Sequence, residues 1–320
     1  MAKNRTLIVT DCINAAIDRL TLPLHQAGLS DICYHYVGEE MNKKTGFNTL
    51  KNPVHFTVEL LKDYDQIHFS TIRAVDVILK NKEIVDLLKG KKLIMTIHTE
   101  RERDLDLLND KHWNRIDQFV SPTKYQQEKI KEYTGKDSIY IPYAIDEKKY
   151  KFIKESKGTA IGYIGRVTPH KRLKEIAEAS DRQIIGIGYV DDGRSGYWQS
   201  IPKGNLTMYQ HLTEDQKIDI MSQFKILVSV SEPHIETGPL GVLECAALGI
   251  PIITTIQGWA KDKLKDTCAY FVKDNLDNFK SEINYIVQDK EKDKIRMNAR
   301  KVIDSWTIDN YVNAHKEIYD

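Results

Sequence analysis

Short apolar runs rich in β-branched residues alternate along this chain with longer stretches whose apolar positions recur every three or four residues. Leu7 to Thr10, Ile32 to Val37, Gln66 to Ser70, Lys92 to His98, Phe119 to Ser121 and Ser138 to Pro142 predict strands, while Val54 to Lys62, Val75 to Lys80, Ile84 to Leu88 and Lys124 to Tyr133 carry helical spacing. After a polar, lysine-rich stretch from Asp146 to Gly158, which reads as an interdomain linker, the alternation begins again. Its strands are Ala160 to Gly165, Gln183 to Ile187, Asn205 to Tyr209, Ile226 to Val230, Pro251 to Thr255 and Ala269 to Val272, and its helices Lys171 to Ala179, Glu214 to Ser222 and Leu240 to Leu248. A last helix, Ile308 to Tyr319, is expected to pack back on the first domain.

Strand alternating with helix implies parallel sheets covered on both faces. The expected fold class is therefore α/β, with two doubly wound Rossmann-like domains facing a central cleft. Residues 1–153 form the first, 154–305 the second, and 306–320 the terminal helix. In such sheets ligands bind beyond the carboxyl ends of the strands.

Composition narrows the function classes. The 320 residues carry 47 Lys+Arg against 46 Asp+Glu and are 41% hydrophobic, which describes a globular chain without a global basic field for nucleic acid. No apolar run approaches the roughly 20 residues that span a bilayer, and nothing near Met1 resembles a secretion signal. Cys12, Cys33, Cys245 and Cys268 lack metal-type spacing, so a reducing cytoplasm is the expected setting.

Candidate chemistry concentrates at three strand ends. After the strand at Ile226, Thr237 or Gly238 is placed to cap a helix with Pro239 in its first turn, leaving free N–H groups for an anion or for sugar hydroxyls. Glu236 stands just before that helix and Glu244 inside it. Continuous helix would separate them by about 12 Å, wider than the roughly 5 to 9.5 Å of a glycosidase carboxylate pair. The spacing suits two contacts along one extended ligand. Gly165 and Arg166 end another strand, and Lys171 opens the next helix, so two cations lie where a diphosphate would bind. His98, with Thr99 and Glu100, ends a strand of the first sheet. Asp104 and Asp106 look like a metal carboxylate pair but fall in a charged segment read as a solvated face. There is no P-loop, and Gly186-Ile187-Gly188 lacks the rest of a dinucleotide fingerprint.

In combination these segments resemble the retaining, metal-independent GT-B glycosyltransferases of family 4 (glycosyl transferases group 1), over nearly the whole chain. Glu236 and Glu244 match the E-x7-E motif, Gly165-Arg166 with Lys171 matches G-R-x4-K, and His98 matches the strand-end histidine. Ile141-Pro142 to Ile145-Asp146 matches the segment before the linker. The resemblance implies an enzyme that moves a sugar, a hexose by expectation, from a nucleotide-diphosphate donor such as a UDP- or GDP-sugar to an acceptor hydroxyl, with no cofactor. Arg166 and Lys171 would clamp the diphosphate, Glu236 would hold sugar hydroxyls, Glu244 would bond the ribose, and the segment Thr237, Gly238, Pro239, Leu240 and Gly241 would line the donor. His98 would approach the donor from the first domain. The leaving phosphate would take the acceptor's proton, which explains the missing catalytic base.

The chain departs from the family pattern at the turn from Asp11 to Ala16, at Gln210 and at Gln257-Gly258-Trp259-Ala260, where glycines are usual. A glycan, glycolipid or protein is the expected acceptor. One alternative is hydroxymethylated DNA, read by Lys43, Lys44, Lys51, Arg101, Arg103, Lys111 and Arg115, although their interleaved acids suit a solvated face better. Others are a non-catalytic nucleotide-sugar-binding protein, or another GT-B enzyme such as an epimerase or phosphorylase.

Overall fold

The computed structural model describes residues 5–12, 17–36, 54–154, 158–190, 195–232, 234–255, 258–264, 268–289 and 292–320. The chain divides into two compact units, Met1–Ala144 with Ile308–Asp320, and Ile145–Thr307.

The first unit is built on a seven-stranded sheet. Its elements are β1 (Thr6–Cys12), α1 (Asp18–Gln26), β2 (Asp31–Tyr36), β3 (Val54–His55), β4 (Gln66–Phe69), α2 (Ile72–Lys80), α3 (Lys82–Leu87), β5 (Lys92–Thr96), α4 (Glu102–Leu105), β6 (Gln118–Ser121), α5 (Lys124–Thr134) and β7 (Ser138–Tyr140). The order β3-β2-β1-β4-β5-β6-β7 is parallel throughout. Strand residues such as Ile67, Phe69, Met95 and Phe119 are wholly buried, as expected of strands covered on both faces.

The helix expected over Val54 to Lys62 does not form. Val54 and His55 add to the edge of β2 opposite Cys33 and Tyr34, and a 3-10 helix follows at Val58–Asp63. Phe56 N–H donating to Tyr34 O at 2.9 Å extends that edge pairing, which takes the backbone groups a helix would need. The C-terminal helix Ile308–Tyr319 docks in this unit. Gln66 Nε2 donates to Tyr319 O at 2.6 Å, and His68 Nδ1 lies 2.5 Å from the Tyr319 hydroxyl.

The second unit carries β8 (Ala160–Ile164), α6 (Leu173–Ala179), β9 (Ile184–Ile187), α7 (Ser195–Ser200), β10 (Leu206–Tyr209), α8 (Glu214–Met221), β11 (Phe224–Ser229), α9 (Leu240–Leu248), β12 (Ile252–Thr254), α10 (Gly258–Lys263), β13 (Tyr270–Phe271), α11 (Phe279–Gln288) and α12 (Lys292–Ile303). The parallel order β10-β9-β8-β11-β12-β13 is that of a doubly wound sheet whose strand order reverses between β8 and β11.

The stretch expected as a linker belongs to this unit as far as it is described. Ile153 N–H donates to Leu248 O at 2.9 Å, and Arg296 Nε donates to Gly249 O at 2.6 Å while the same guanidinium reaches the carbonyls of Ile153 and Lys154. These bonds hold the lysine-rich segment down, so the unit begins at Ile145 rather than at residue 154. A bridge between Ile145 and Thr307 joins its two ends. Among the described residues no helix is long and apolar enough to cross a membrane.

Candidate functional site

The reversal point between β8 and β11 sets two turns side by side at the carboxyl edge of the second sheet. After β8 the chain passes Gly165 and Arg166 into a 3-10 turn, Pro169–Lys171. Lys171 thus ends a 3-10 turn instead of opening the helix. Arg172 follows in the left-handed region at φ 55°, its guanidinium held by the Asp274 carbonyl at 2.6 Å and carboxylate at 3.0 Å, and α6 starts only at Leu173. Gly188 lets the neighbouring turn approach, since a Cβ there would lie 1.8 Å from Gly165 O. After β11 the chain is tied to the first turn by Glu232 N–H donating to His170 O at 2.9 Å.

That tie brings Glu236 into reach of the 3-10 turn. Its Oε2 lies 2.9 Å from Lys171 Nζ and its Oε1 3.4 Å from His170 Nε2. Burial opposes the charged carboxylate, but the His170 hydrogen bond and the Lys171 charge outweigh it and bring the carboxyl down to about 2. Glu236 is therefore an anion at any physiological pH. Arg166 points to solvent and pairs with no carboxylate among the described residues.

Helix α9 follows, with Pro239 itself as its N-cap residue and no side-chain cap, where Thr237 or Gly238 was expected to cap. Its first N–H groups have no intrahelical acceptors, and the positive end of its dipole faces the same edge. Thr237, Gly238, Pro239 and Gly241 are buried and Leu240 half-buried. A Cβ on Gly238 would meet the Trp259 indole at 1.6 Å, so only glycine lets that ring underlie the turn. Gly241 lets α9 press on Ile164.

Glu244 has a different environment. It is 1% exposed, and its carboxylate is held by Lys217 Nζ at 2.5 Å and by the Tyr150 hydroxyl at 3.2 Å. The Tyr150 hydroxyl also bonds Glu214. The carboxylate is thus paired inside the unit and not solvated. A ribose hydroxyl would have to share an already paired carboxylate.

In the first unit, His98 follows β5 with its Nδ1 2.9 Å from the Tyr143 hydroxyl. Burial, followed by the influence of His315, lowers its pKa to about 3, so the ring is neutral at ordinary pH. The turn around it is braced. Thr123 donates to the Glu100 carboxylate at 2.7 Å, and Gln126 Nε2 donates to Thr99 O at 2.9 Å from the capping box that starts α5. Asp104, expected to be solvated, is buried and accepts from Thr99 Oγ1 at 3.3 Å. Asp106 accepts from the Tyr133 hydroxyl at 3.2 Å, so the two acids do not form a metal pair. Gln210 Oε1 accepts from Val190 N–H at 3.2 Å. Of the basic residues considered for DNA, Lys43, Lys44 and Lys51 lie outside the described residues, as do 13–16 of the first turn and Gln257.

Comparison with known proteins bears on the family and the fold. Residues 144–302, nearly the whole second unit, match the family described as "Glycosyl transferases group 1". That unit belongs to this family. Among solved structures, Anabaena Alr3699/HepE in complex with UDP-glucose superposes with a TM-score of 0.81 at 14% identity, covering 98% of this chain and 99% of that one. A glycosyltransferase from Rickettsia africae gives 0.74 at 16% identity over 100% and 98% of the two chains. Sucrose-phosphate synthase from Thermosynechococcus elongatus gives 0.76 at 14% over 99% and 98%. No curated protein matches the chain in sequence. The fold is GT-B, two Rossmann-like domains of parallel sheet.

Within this glycosyl transferases group 1 unit, His170, Lys217 and Tyr150 join the site without having been expected from the sequence. His170 lies inside the G-R-x4-K segment, directly before Lys171. Lys217 lies on α8 and Tyr150 in the supposed linker, and neither carries a spacing signal for its burial against Glu244.

Proposed function

We propose that the chain is a retaining glycosyltransferase that moves a hexose from a nucleoside-diphosphate donor to an acceptor hydroxyl without a metal ion in the chemical step. The observation that carries this reading is Glu236, held as an anion between Lys171 and His170 beside the N-terminus of α9 at the sheet's reversal point. A sugar has hydroxyls to donate to Glu236, and a diphosphate has charge for Arg166, Lys171 and the helix start. Lys171 would be shared between the two. As the glycosidic bond breaks, negative charge grows on the β-phosphate, and these two cations with the first N–H groups of α9 stabilise it. In the tautomer in which the Tyr143 hydroxyl donates to Nδ1, the neutral His98 ring carries its proton on Nε2 and donates it to a donor-sugar hydroxyl or phosphate oxygen. The leaving phosphate oxygen takes the acceptor's proton. Glu244 meets the ribose through the network it shares with Lys217 and Tyr150.

A glycan or lipid hydroxyl is the proposed acceptor, and the structural likeness to HepE, whose crystals hold UDP and glucose, makes UDP-glucose the first donor to try. In a turnover assay with UDP- and GDP-sugars, Glu236→Ala should lose at least about a hundredfold in rate, with nucleoside-diphosphate affinity largely kept. The product anomer, read by NMR, should retain the donor's configuration. Undiminished transfer by Glu236→Ala would remove that residue from the chemistry.

A further inference from the structure

The first unit contains a cluster that none of the preceding chemistry uses. Asp76 on α2, Asp110, and His112 in the 3-10 turn Lys111–Arg115 bring three ligand-type atoms within 4.8 Å of one another. Asp76 Oδ1 and His112 Nε2 are 2.9 Å apart, both shut away from solvent, and neither makes a hydrogen bond. The separation would allow one, so direction is what fails, the oxygen lying off the line along which the ring nitrogen donates. Two ligands about 2.1 Å from one divalent ion lie about 3.0 Å apart at a right angle and about 3.4 Å apart at the tetrahedral angle. The Asp76 and His112 atoms thus have the spacing and the misalignment of neighbouring ligands.

The surroundings fit the same reading. Asp110 is exposed, with its Oδ2 3.9 Å from His112 Nδ1. Lys80 Nζ bridges Asp76 Oδ2 at 2.9 Å and Asp110 Oδ2 at 3.2 Å, so Asp76 Oδ1 faces His112 Nε2 and not the ammonium. One ammonium against two carboxylates leaves a net negative charge. The His112 ring rests against the buried Trp113, with ring centroids 5.6 Å apart. The turn leads into the amino end of β6, whereas His98 follows the carboxyl end of β5.

We propose that Asp76, Asp110 and His112 form a structural site for a zinc-type divalent cation that clamps α2 to this turn and takes no part in sugar transfer. One imidazole with two carboxylates suits such an ion better than magnesium or calcium, which favour oxygen alone. Lys80 competes with it for the acids.

The test is calorimetric titration of chelator-treated protein with zinc chloride, with magnesium and calcium chlorides alongside. One zinc per chain and a raised Tm are expected. Affinity should fall by more than about tenfold in Asp110→Asn and in His112→Gln, and should rise in Lys80→Met. Asp110 is exposed, so its variant reports even where His112→Gln compromises folding. Equal zinc affinity in parent and Asp110→Asn, no zinc binding by folded parent and Lys80→Met, or magnesium bound as tightly as zinc would each overturn the proposal.

Discussion

Two glutamates of one motif stand in opposite surroundings. Glu236 lies at the edge of the sheet, 19% exposed, with Lys171 and His170 on either side, whereas Glu244 is sealed in the unit and depends on Lys217 and Tyr150. Breaking a buried ion pair from one side leaves a charge without solvent or partner. Lys217→Met should therefore destabilise the protein by about 3–5 kcal/mol in urea unfolding, and Glu244→Gln/Lys217→Met should recover much of it. A Lys217→Met variant as stable as the parent would contradict the pairing. Glu236 was legible because its position before a helix start and its spacing from Glu244 are written in the chain. Lys217 was not, because a lysine on a polar helix normally reaches solvent, and only the tertiary fold turns this one inward.

The elements show the same division. The helices over Leu240 to Leu248 and Ile308 to Tyr319 form over the residues their periodicity indicates. Val54 to Lys62 fails because edge pairing to β2 claims its first backbone groups, a long-range event that local spacing does not encode. Docking of the C-terminal helix has an electrostatic consequence. His68 is buried between the Tyr319 hydroxyl and Thr96 Oγ1, at 2.5 and 2.7 Å, and stacks on the fully buried His315. Tyr311 and Tyr319 flank His315, and His98 is the other titratable ring that bears on His68. Burial is the main cause that lowers all three imidazoles, His315 to about 4, His98 to about 3 and His68 well below its ordinary value. A depressed folded pKa means the unfolded chain binds protons first, so this contribution to stability is complete above about pH 6.5 and is lost as pH falls toward 4. Tm should drop over that window, and His315→Phe, with no ring nitrogen to charge, should flatten the drop. A Tm unchanged from pH 7 to pH 4.5 would refute the neutral burial of these rings.

For the whole molecule, the strand order carries the most weight. Two parallel doubly wound sheets were legible from the alternation of short apolar runs with helical spacing, and the reversal between β8 and β11 locates the turns that hold Gly165 to Lys171 and Glu236 to Gly241. The boundary between units was not legible, because the lysines of residues 146–154 look like a solvated linker while their backbone is bound to α9 and α12. The central claim, that the second unit holds a nucleoside diphosphate through Arg166, Lys171 and the start of α9, is tested most directly by melting the protein with UDP, GDP, UDP-glucose and GDP-sugars at increasing concentration. A ligand of the native state raises Tm by mass action, by about 2.7 kcal/mol of added stability at one hundred times its Kd. A selective, saturable rise with one nucleotide family is expected, much weakened in Arg166→Ala. No rise with any nucleotide in folded protein, or an equal rise in parent and Arg166→Ala, would contradict it.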